Sequence, residues 1–141
     1  MTCSELMQPD PDAVIPEDRL ADVLKVMLTR DVGSVPVVDS RESRAPLGML
    51  TDRDVALYLA SHDLRPSEVL CRSVMSSPVV TVTGEDDIKI ARDKMREFQL
   101  RRILVTEGGR LVGIITQADF AREKPGDAQH IVADVSQPKA A

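Results

Sequence analysis

The sequence predicts an α+β fold made of two copies of one β-α-β-β-α unit. The pattern Gly-x-x-Thr-x-x-Asp occurs at residues 48–54 and returns at residues 113–119. A second pattern, Cys-x-x-x-Met, opens both halves, because residues 71–75 follow residues 3–7 at a spacing of 68 positions. Strand-like and helix-like apolar patterns also alternate in the same order in both halves. We therefore expect two repeats related by a pseudo-twofold axis and packed as one module.

The first repeat contains each predicted element in turn. Residues 13–15 form a short strand, and a helix runs from Pro16 to about Arg30, with Pro and acidic residues in its first turn. Gly33 interrupts the pattern before two strands of a hairpin, residues 34–38 and 47–50. Thr51 then begins a second helix.

The second repeat shows the same order. We predict a strand at residues 79–83, a helix over residues 85–98, strands over residues 102–105 and 111–115, and a short helix from Gln117.

The size of the chain argues that the repeats fold together. The chain has 141 residues, of which 43% are hydrophobic, and a repeat of about 60 residues buries too little surface to be stable alone. The predicted divisions are repeat one at residues 1–66, repeat two at residues 67–124, and a partly disordered tail at residues 125–141.

Composition excludes several classes of function. A net charge of −5 argues against a nucleic-acid-binding or anionic-membrane surface, and 2% aromatic residues argue against stacking on bases. No apolar run is long enough to span a bilayer and no signal peptide is visible, so we expect a cytoplasmic protein. His62 and His130 lack metal-ligand spacing and belong to no nucleophile–His–acid grouping, so neither a metal site nor an enzyme is expected. Cys3 and Cys71 are expected to be reduced thiols whose role the sequence leaves open.

The duplicated Thr-x-x-Asp motif suggests a small anionic ligand with hydroxyl groups. A helix that begins just after Thr51 presents free backbone N–H groups to an anion such as phosphate. An ionised Asp54 only accepts hydrogen bonds, so it suits a sugar diol. Thr116 and Asp119 repeat this arrangement. The alternative interpretation is that both motifs are helix caps, each worth about 1 kcal/mol.

These motifs resemble tandem CBS domains, the paired repeat often called a Bateman module. The resemblance covers residues 3–124 and rests on both Gly-x-x-Thr-x-x-Asp motifs, the Val-Pro-Val-Val-Asp segment at residues 35–39, Met7 and Met75, and the order of elements. The chain looks most like small stand-alone bacterial members. The resemblance implies binding of AMP, ADP, ATP, S-adenosylmethionine or NAD in clefts between the repeats, as regulatory ligands and not as cofactors.

The resemblance also implies which residues contact the ligand. The motif Asp would bind the ribose hydroxyls, the motif Thr would contact phosphate or ribose, and strand residues would line the adenine. Site one would contain Ile15, Val35, Pro36, Thr51 and Asp54. Site two would contain Val82, Arg102, Ile103, Thr116 and Asp119.

The two sites differ at the strand that precedes the motif. Arg101 and Arg102 stand in repeat two where repeat one has Gly33 and Ser34. Because arginine grips phosphate bidentately, site two is predicted to be the stronger phosphate binder. Arg53 is the corresponding candidate for phosphate in site one.

Two hypotheses of function follow. The first is a non-catalytic sensor that binds an adenosine nucleotide and signals to a partner protein, whose identity the sequence does not give. The alternative is a ligand-free scaffold or dimerisation module. The resemblance implies a homodimer in both cases.

Overall fold

A computed structural model describes residues 1–123, so the predicted tail at residues 125–141 lies outside the described residues. The described chain divides into two compact units. Unit one comprises residues 12–79, and unit two comprises residues 1–11 and 80–123. Both units combine helices with strands, so the α+β prediction is confirmed.

In chain order the helices and strands are α1 (Cys3–Leu6), β1 (Gln8–Pro9), α2 (Leu20–Arg30), β2 (Ser34–Val38), β3 (Pro46–Thr51), α3 (Asp52–His62), β4 (Thr81–Thr83), α4 (Ile88–Glu97), β5 (Arg102–Glu107), β6 (Arg110–Thr116) and α5 (Gln117–Glu123). Two short 3-10 turns, Pro66–Glu68 and Cys71–Ser73, precede β4.

The sheets of the two units have the same layout. In unit two the strand order is β1-β6-β5-β4, with β4 parallel to β5 and the other pairs antiparallel. In unit one the antiparallel pair β2-β3 is flanked by single bridges, from Val14 parallel to Val37 and from Ser76 antiparallel to Met49. The strand predicted at residues 13–15 is thus reduced to one paired residue, Val14.

Each unit is completed by a segment that comes from the opening of the other sequence repeat. The Cys3 amide donates to the Asp86 carbonyl at 2.7 Å, and the Cys71 amide donates to the Asp18 carbonyl at the same distance. These pairs are equivalent, because each residue of the second repeat follows its counterpart by 68 positions. The predicted boundary at residues 66 and 67 therefore divides the repeats in sequence, whereas the compact units exchange their opening segments.

This exchange explains why two helices begin later than predicted. The helix expected from Pro16 begins at Leu20, whose amide donates to the Val69 carbonyl at 2.9 Å. The helix expected from residue 85 begins at Ile88, whose amide donates to the Met1 carbonyl at 3.0 Å. Because these first amides are bonded to distant residues, the preceding residues stay extended or in turns.

The glycine of each motif is required by packing of the exchanged segment. A Cβ atom at Gly48 would overlap the carbonyl oxygen of Ser76, and one at Gly113 would overlap the side chain of Met7. Both glycines lie in the strand that the exchanged segment pairs with. The motif glycine therefore serves the fold.

Mainly aliphatic side chains form a separate core in each unit. In unit one, Leu20, Val23, Val35 and Leu50 are almost wholly buried. In unit two the sole buried aromatic residue among those described is Phe120, which follows Asp119 on α5.

Candidate functional site

In unit one, the Thr-x-x-Asp motif stands where β3 ends and α3 begins. Thr51 is the extended N-cap residue of α3, and its hydroxyl oxygen accepts a hydrogen bond from the Asp54 amide at 3.0 Å. Thr51 pairs with Ser34 at the start of β2, and the Asp52 amide donates to the Gly33 carbonyl at 2.9 Å. The hairpin therefore brings Gly33 and Ser34, at the start of β2, next to the motif.

The carboxylate of Asp54 is available. Asp54 is half-buried, and within residues 1–123 no group donates a hydrogen bond to its side chain. Its backbone amide is used by the Thr51 cap, while both carboxylate oxygens keep their lone pairs. The first turn of α3 also contains Asp52, so two acidic groups already face the positive end of this helix. The geometry at Asp54 suits hydroxyl donors better than an anion.

In unit two, the equivalent carboxylate is fully occupied. Asp119 is 0% exposed, and its Oδ2 accepts from the Thr116 amide at 2.7 Å and from the Thr116 hydroxyl at 3.1 Å. Gln8 Nε2 donates to both carboxylate oxygens, at 3.0 and 3.3 Å, and Arg122 Nη2 forms an ion pair with Oδ1. Asp119 thus caps the start of α5 and holds two further side chains.

The predicted strand residues of site two lie beside this motif. Arg102 pairs with Thr116 across β5 and β6, and the Gln117 amide donates to the Arg101 carbonyl at 3.2 Å. Arg101 is exposed and Arg102 is half-buried. In unit one, Arg53 is exposed in the first turn of α3.

The apolar residues predicted to line adenine are mostly in the cores. Val35 and Ile103 are each 1% exposed and Val82 is 2% exposed. Pro36 is buried within β2, and its carbonyl accepts from the Val14 amide at 3.0 Å. Ile15 is half-buried, and its amide donates to the Asp18 side chain. At the four buried positions, contact with a ligand would have to come mainly from the backbone.

Sequence reasoning missed Gln8 and Arg122. Arg122 lies three residues after Asp119, a spacing that predicts a contact on one helix face, so a signal was present. Gln8 reaches Asp119 only because β1 pairs with β6, and no local pattern indicates that pairing.

Both cysteines are buried, free thiols. Burial raises the pKa of the Cys3 thiol to about 11, with further contributions from Asp86 and Asp87. Burial likewise raises the pKa of the Cys71 thiol to about 11, and Asp18 and Glu17 add to it. Protonated thiols at these sites are poor nucleophiles and poor metal ligands.

Among residues 1–123, no group of three or more His, Cys, Asp and Glu side chains could hold a metal ion. No helix in that part of the chain has the length and apolar character needed to cross a bilayer.

Comparison with known proteins identifies relatives of similar and of greater length. Hypoxic response protein 1 of Mycobacterium tuberculosis is 29% identical over 127 residues, which cover 90% of this chain and 87% of the relative. A crystal structure of Hypoxic Response Protein I with two coordinated zinc ions superposes with a TM-score of 0.78, covering 89% of this chain and 100% of that one. Two archaeal relatives are longer, and the matched region of this chain spans 56% and 64% of their lengths.

Two further crystal structures contain ligands and share the fold. CBSX2 in complex with AMP has a TM-score of 0.72 at 21% identity, covering 89% of this chain and 96% of that one. The CBS domain pair of protein MJ0100 in complex with 5-methylthioadenosine and S-adenosyl-L-methionine has a TM-score of 0.74 at 20% identity, covering 89% and 97%. The family model of the CBS domain matches this chain twice, at residues 3–61 and 71–126. The chain belongs to the CBS-domain family.

Proposed function

We propose that this chain is a non-catalytic regulatory module that binds an adenosine compound and signals to a partner protein. The observation that carries the proposal is the half-buried Asp54 carboxylate, which no group within residues 1–123 bonds and which lies at the junction of hairpin and helix. A vicinal diol has two O–H donors, and a carboxylate has two acceptor oxygens, so the two groups are chemically matched.

The ligands bound to two structural neighbours support adenosine as the common element. AMP, methylthioadenosine and S-adenosylmethionine share adenine and ribose, whereas only AMP has a phosphate. A site that selects for adenosine therefore needs a hydrogen-bond acceptor for the ribose diol more than it needs groups that bind phosphate. Asp54 meets that requirement, with Thr51, Ile15, Val35 and Pro36 as the other predicted contacts.

Regulation requires that the ligand bind two conformations of the module with different affinity. A partner protein that also distinguishes those conformations would then respond to the ligand concentration. In this role the adenosine compound is a regulatory ligand and takes part in no reaction. We propose a homodimer as the assembled form, which sedimentation velocity of the purified protein tests directly.

Calorimetric titration with AMP, ADP, ATP, S-adenosylmethionine and NAD tests the binding. Asp54→Asn should weaken the affinity of the bound ligand at least about a hundredfold, because two charge-assisted hydrogen bonds of about 1.5–3 kcal/mol each are weakened. Asp52→Asn is the matched control: it removes the same charge from the same exposed helical turn, and binding should persist. Equal losses in both variants would contradict a diol contact at Asp54.

A ligand-free scaffold is the second candidate, and a specific observation favours it. Thr51 and Asp119 each satisfy backbone amides at a helix start, which is sufficient reason for both motifs to exist. A folded protein that produces no heat with any of the five ligands would support the scaffold and refute the sensor.

A further inference from the structure

The two motif carboxylates have opposite environments, although the motifs are copies. A carboxylate has about four lone-pair sites. At Asp119 these are taken by the Thr116 amide and hydroxyl, by Gln8 and by Arg122, and the residue has no exposed surface. At Asp54 no group within the described chain takes any of them.

Part of the difference lies within the motif, because Thr116 donates to Asp119 whereas Thr51 accepts from the Asp54 amide. The other two donors, Gln8 and Arg122, lie outside the motif and have no counterpart at Asp54. Leu57 stands three residues after Asp54, where the second repeat has Arg122 three residues after Asp119. The Leu57 side chain has no hydrogen-bond donor and the residue is 55% exposed, so Leu57 does not bond the Asp54 carboxylate.

The second residue is contributed by the exchanged segment. Gln8 follows Met7, and its counterpart Ser76 follows Met75. Ser76 occupies the same place beside β3 through its backbone hydrogen bonds to Met49, at 2.9 and 3.0 Å. Its shorter side chain is exposed and does not donate to Asp54.

We propose that Gln8 and Arg122 act as an intramolecular cover on Asp119, so that the chain binds one adenosine ligand, at motif one, and leaves motif two closed to ribose. This inference rests on the proposed function and reverses the sequence-based expectation that site two is the stronger. A ribose diol can bond Asp119 only by displacing donors already in place. Each charge-assisted bond displaced lowers affinity about tenfold or more.

An anionic ligand is the kind of ligand that could displace part of this cover. Arg122 is 65% exposed at its side chain, so it can leave Asp119 for a stronger anion while Gln8, held by the β1–β6 pairing, stays. Ligands without a phosphate, such as methylthioadenosine, offer Arg122 no alternative partner. Motif two is therefore closed most strictly to neutral adenosine compounds.

The test is the number of AMP molecules bound per chain, measured by calorimetric titration of full-length variants. The wild type should bind one AMP, and Asp54→Asn should bind none. The variant Gln8→Ser/Arg122→Leu removes the two side-chain donors that have no counterpart at Asp54, and it should bind two. Adding Asp54→Asn to that variant should leave one.

The possible outcomes distinguish failure of the inference about motif two from failure of the proposed function. Binding of one AMP by Asp54→Asn would place the wild-type ligand at motif two and overturn the inference while the proposed function stands. A stoichiometry of one in Gln8→Ser/Arg122→Leu would show that the cover does not control motif two. No AMP binding in any folded variant, and none of the other four ligands, would refute the proposed function itself.

Thermal melting followed by circular dichroism establishes that each variant is folded. If the double variant fails to fold, Arg122→Leu alone is used, because it alters an exposed side chain. It should then raise AMP binding above one per chain at millimolar AMP. An unchanged stoichiometry in that variant would count against the cover.

Discussion

Gly48→Ala should destabilise unit one strongly, although the change adds a single methyl group. The Cβ atom would overlap the carbonyl oxygen of Ser76, and it would lie 3.2 Å from the Ser76 carbonyl carbon and 3.4 Å from the terminal methyl of Met75. Two hydrogen bonds hold this segment: the Met49 amide donates to the Ser76 carbonyl at 3.0 Å, and the Ser76 amide donates to the Met49 carbonyl at 2.9 Å. Relief of the overlap requires the segment to move away and weaken both.

The magnitude follows from these two effects. Overpacking of a well-packed site costs about 1–3 kcal/mol. Loss of two backbone hydrogen bonds adds about 0.5–1.5 kcal/mol each. The free energy of unfolding should therefore fall by about 2–6 kcal/mol. For a chain of this size that corresponds to a decrease in Tm of about 8–24 °C.

Two other glycine substitutions provide controls in the same protein. At Gly113 the new Cβ would overlap the Met7 Sδ and Cγ atoms, which a rotamer change can move, and would lie 2.9 Å from the Met7 Cβ, which it cannot. Gly113→Ala should therefore also destabilise the fold, but less than Gly48→Ala, whose overlap is with backbone. At Gly33 the nearest atom is the end of the exposed Asp52 side chain at 3.3 Å, so Gly33→Ala should stay within about 1 kcal/mol of the wild type. Urea denaturation followed by circular dichroism measures all three. A cost below about 1 kcal/mol for Gly48→Ala, or a larger cost for Gly113→Ala, would refute the packing role.

Three further predictions concern the cap, the ion pair and the thiols. Thr51→Ala should lower the free energy of unfolding by about 1 kcal/mol while Thr51→Ser retains it, and equal losses would exclude the cap to the Asp54 amide. Arg122→Leu should cost less than about 1 kcal/mol in urea denaturation, because its side chain is largely exposed; a cost above about 2 kcal/mol would mean that Asp119 depends on it. Cys3 and Cys71 should resist a thiol-reactive disulfide reagent at pH 8 until urea unfolds the protein, and rapid labelling would contradict their burial. Burial raises the pKa of both thiols to about 11, against 9.0 for a free thiol. Because the unfolded chain therefore loses these protons first, the free energy of unfolding should fall as the pH rises from 9 to 11.

The sequence indicated the hairpin and the motif-bearing helix closely, and the reasons are local. Ser34–Val38 is a β-branched run that follows a glycine, and the observed strand has the predicted bounds. Thr51 has a side chain suited to an N-cap, and α3 begins at the next residue. Where local chemistry is sufficient, periodicity and capping residues locate an element well.

The helix starts at Leu20 and Ile88 were predicted too early because their cause is not local. Each first amide is bonded to a carbonyl of an exchanged segment far along the chain. Proline and acidic residues before Leu20 do favour a helix start, but pairing of Arg19 with Leu70 keeps Arg19 extended. Tertiary hydrogen bonds override the propensity of the preceding turn.

The same limit applies to the candidate site. The spacing of Thr and Asp allowed either a ligand site or a helix cap, and in both units the motif does make capping hydrogen bonds at a helix start. Which carboxylate would remain available depends on Gln8, and that residue is brought to Asp119 only by the β1–β6 pairing. A comparison of the two motifs alone therefore does not show which carboxylate is bonded by side chains from elsewhere in the chain.

The duplicated motif combines two functions that can be separated. Its glycine admits the exchanged segment and its threonine lies at the helix start, so both copies retain these residues for reasons of stability alone. The proposed binding of a ribose diol adds a further requirement, which is that the aspartate carboxylate be left without donors. Residues outside the motif contribute to that difference, since Arg122 and Gln8 bond Asp119 in one unit, whereas Leu57 and Ser76 stand at the equivalent positions in the other. Two copies of a repeat can thus share the residues that stabilise the fold while only one of them has a motif carboxylate without hydrogen-bond donors.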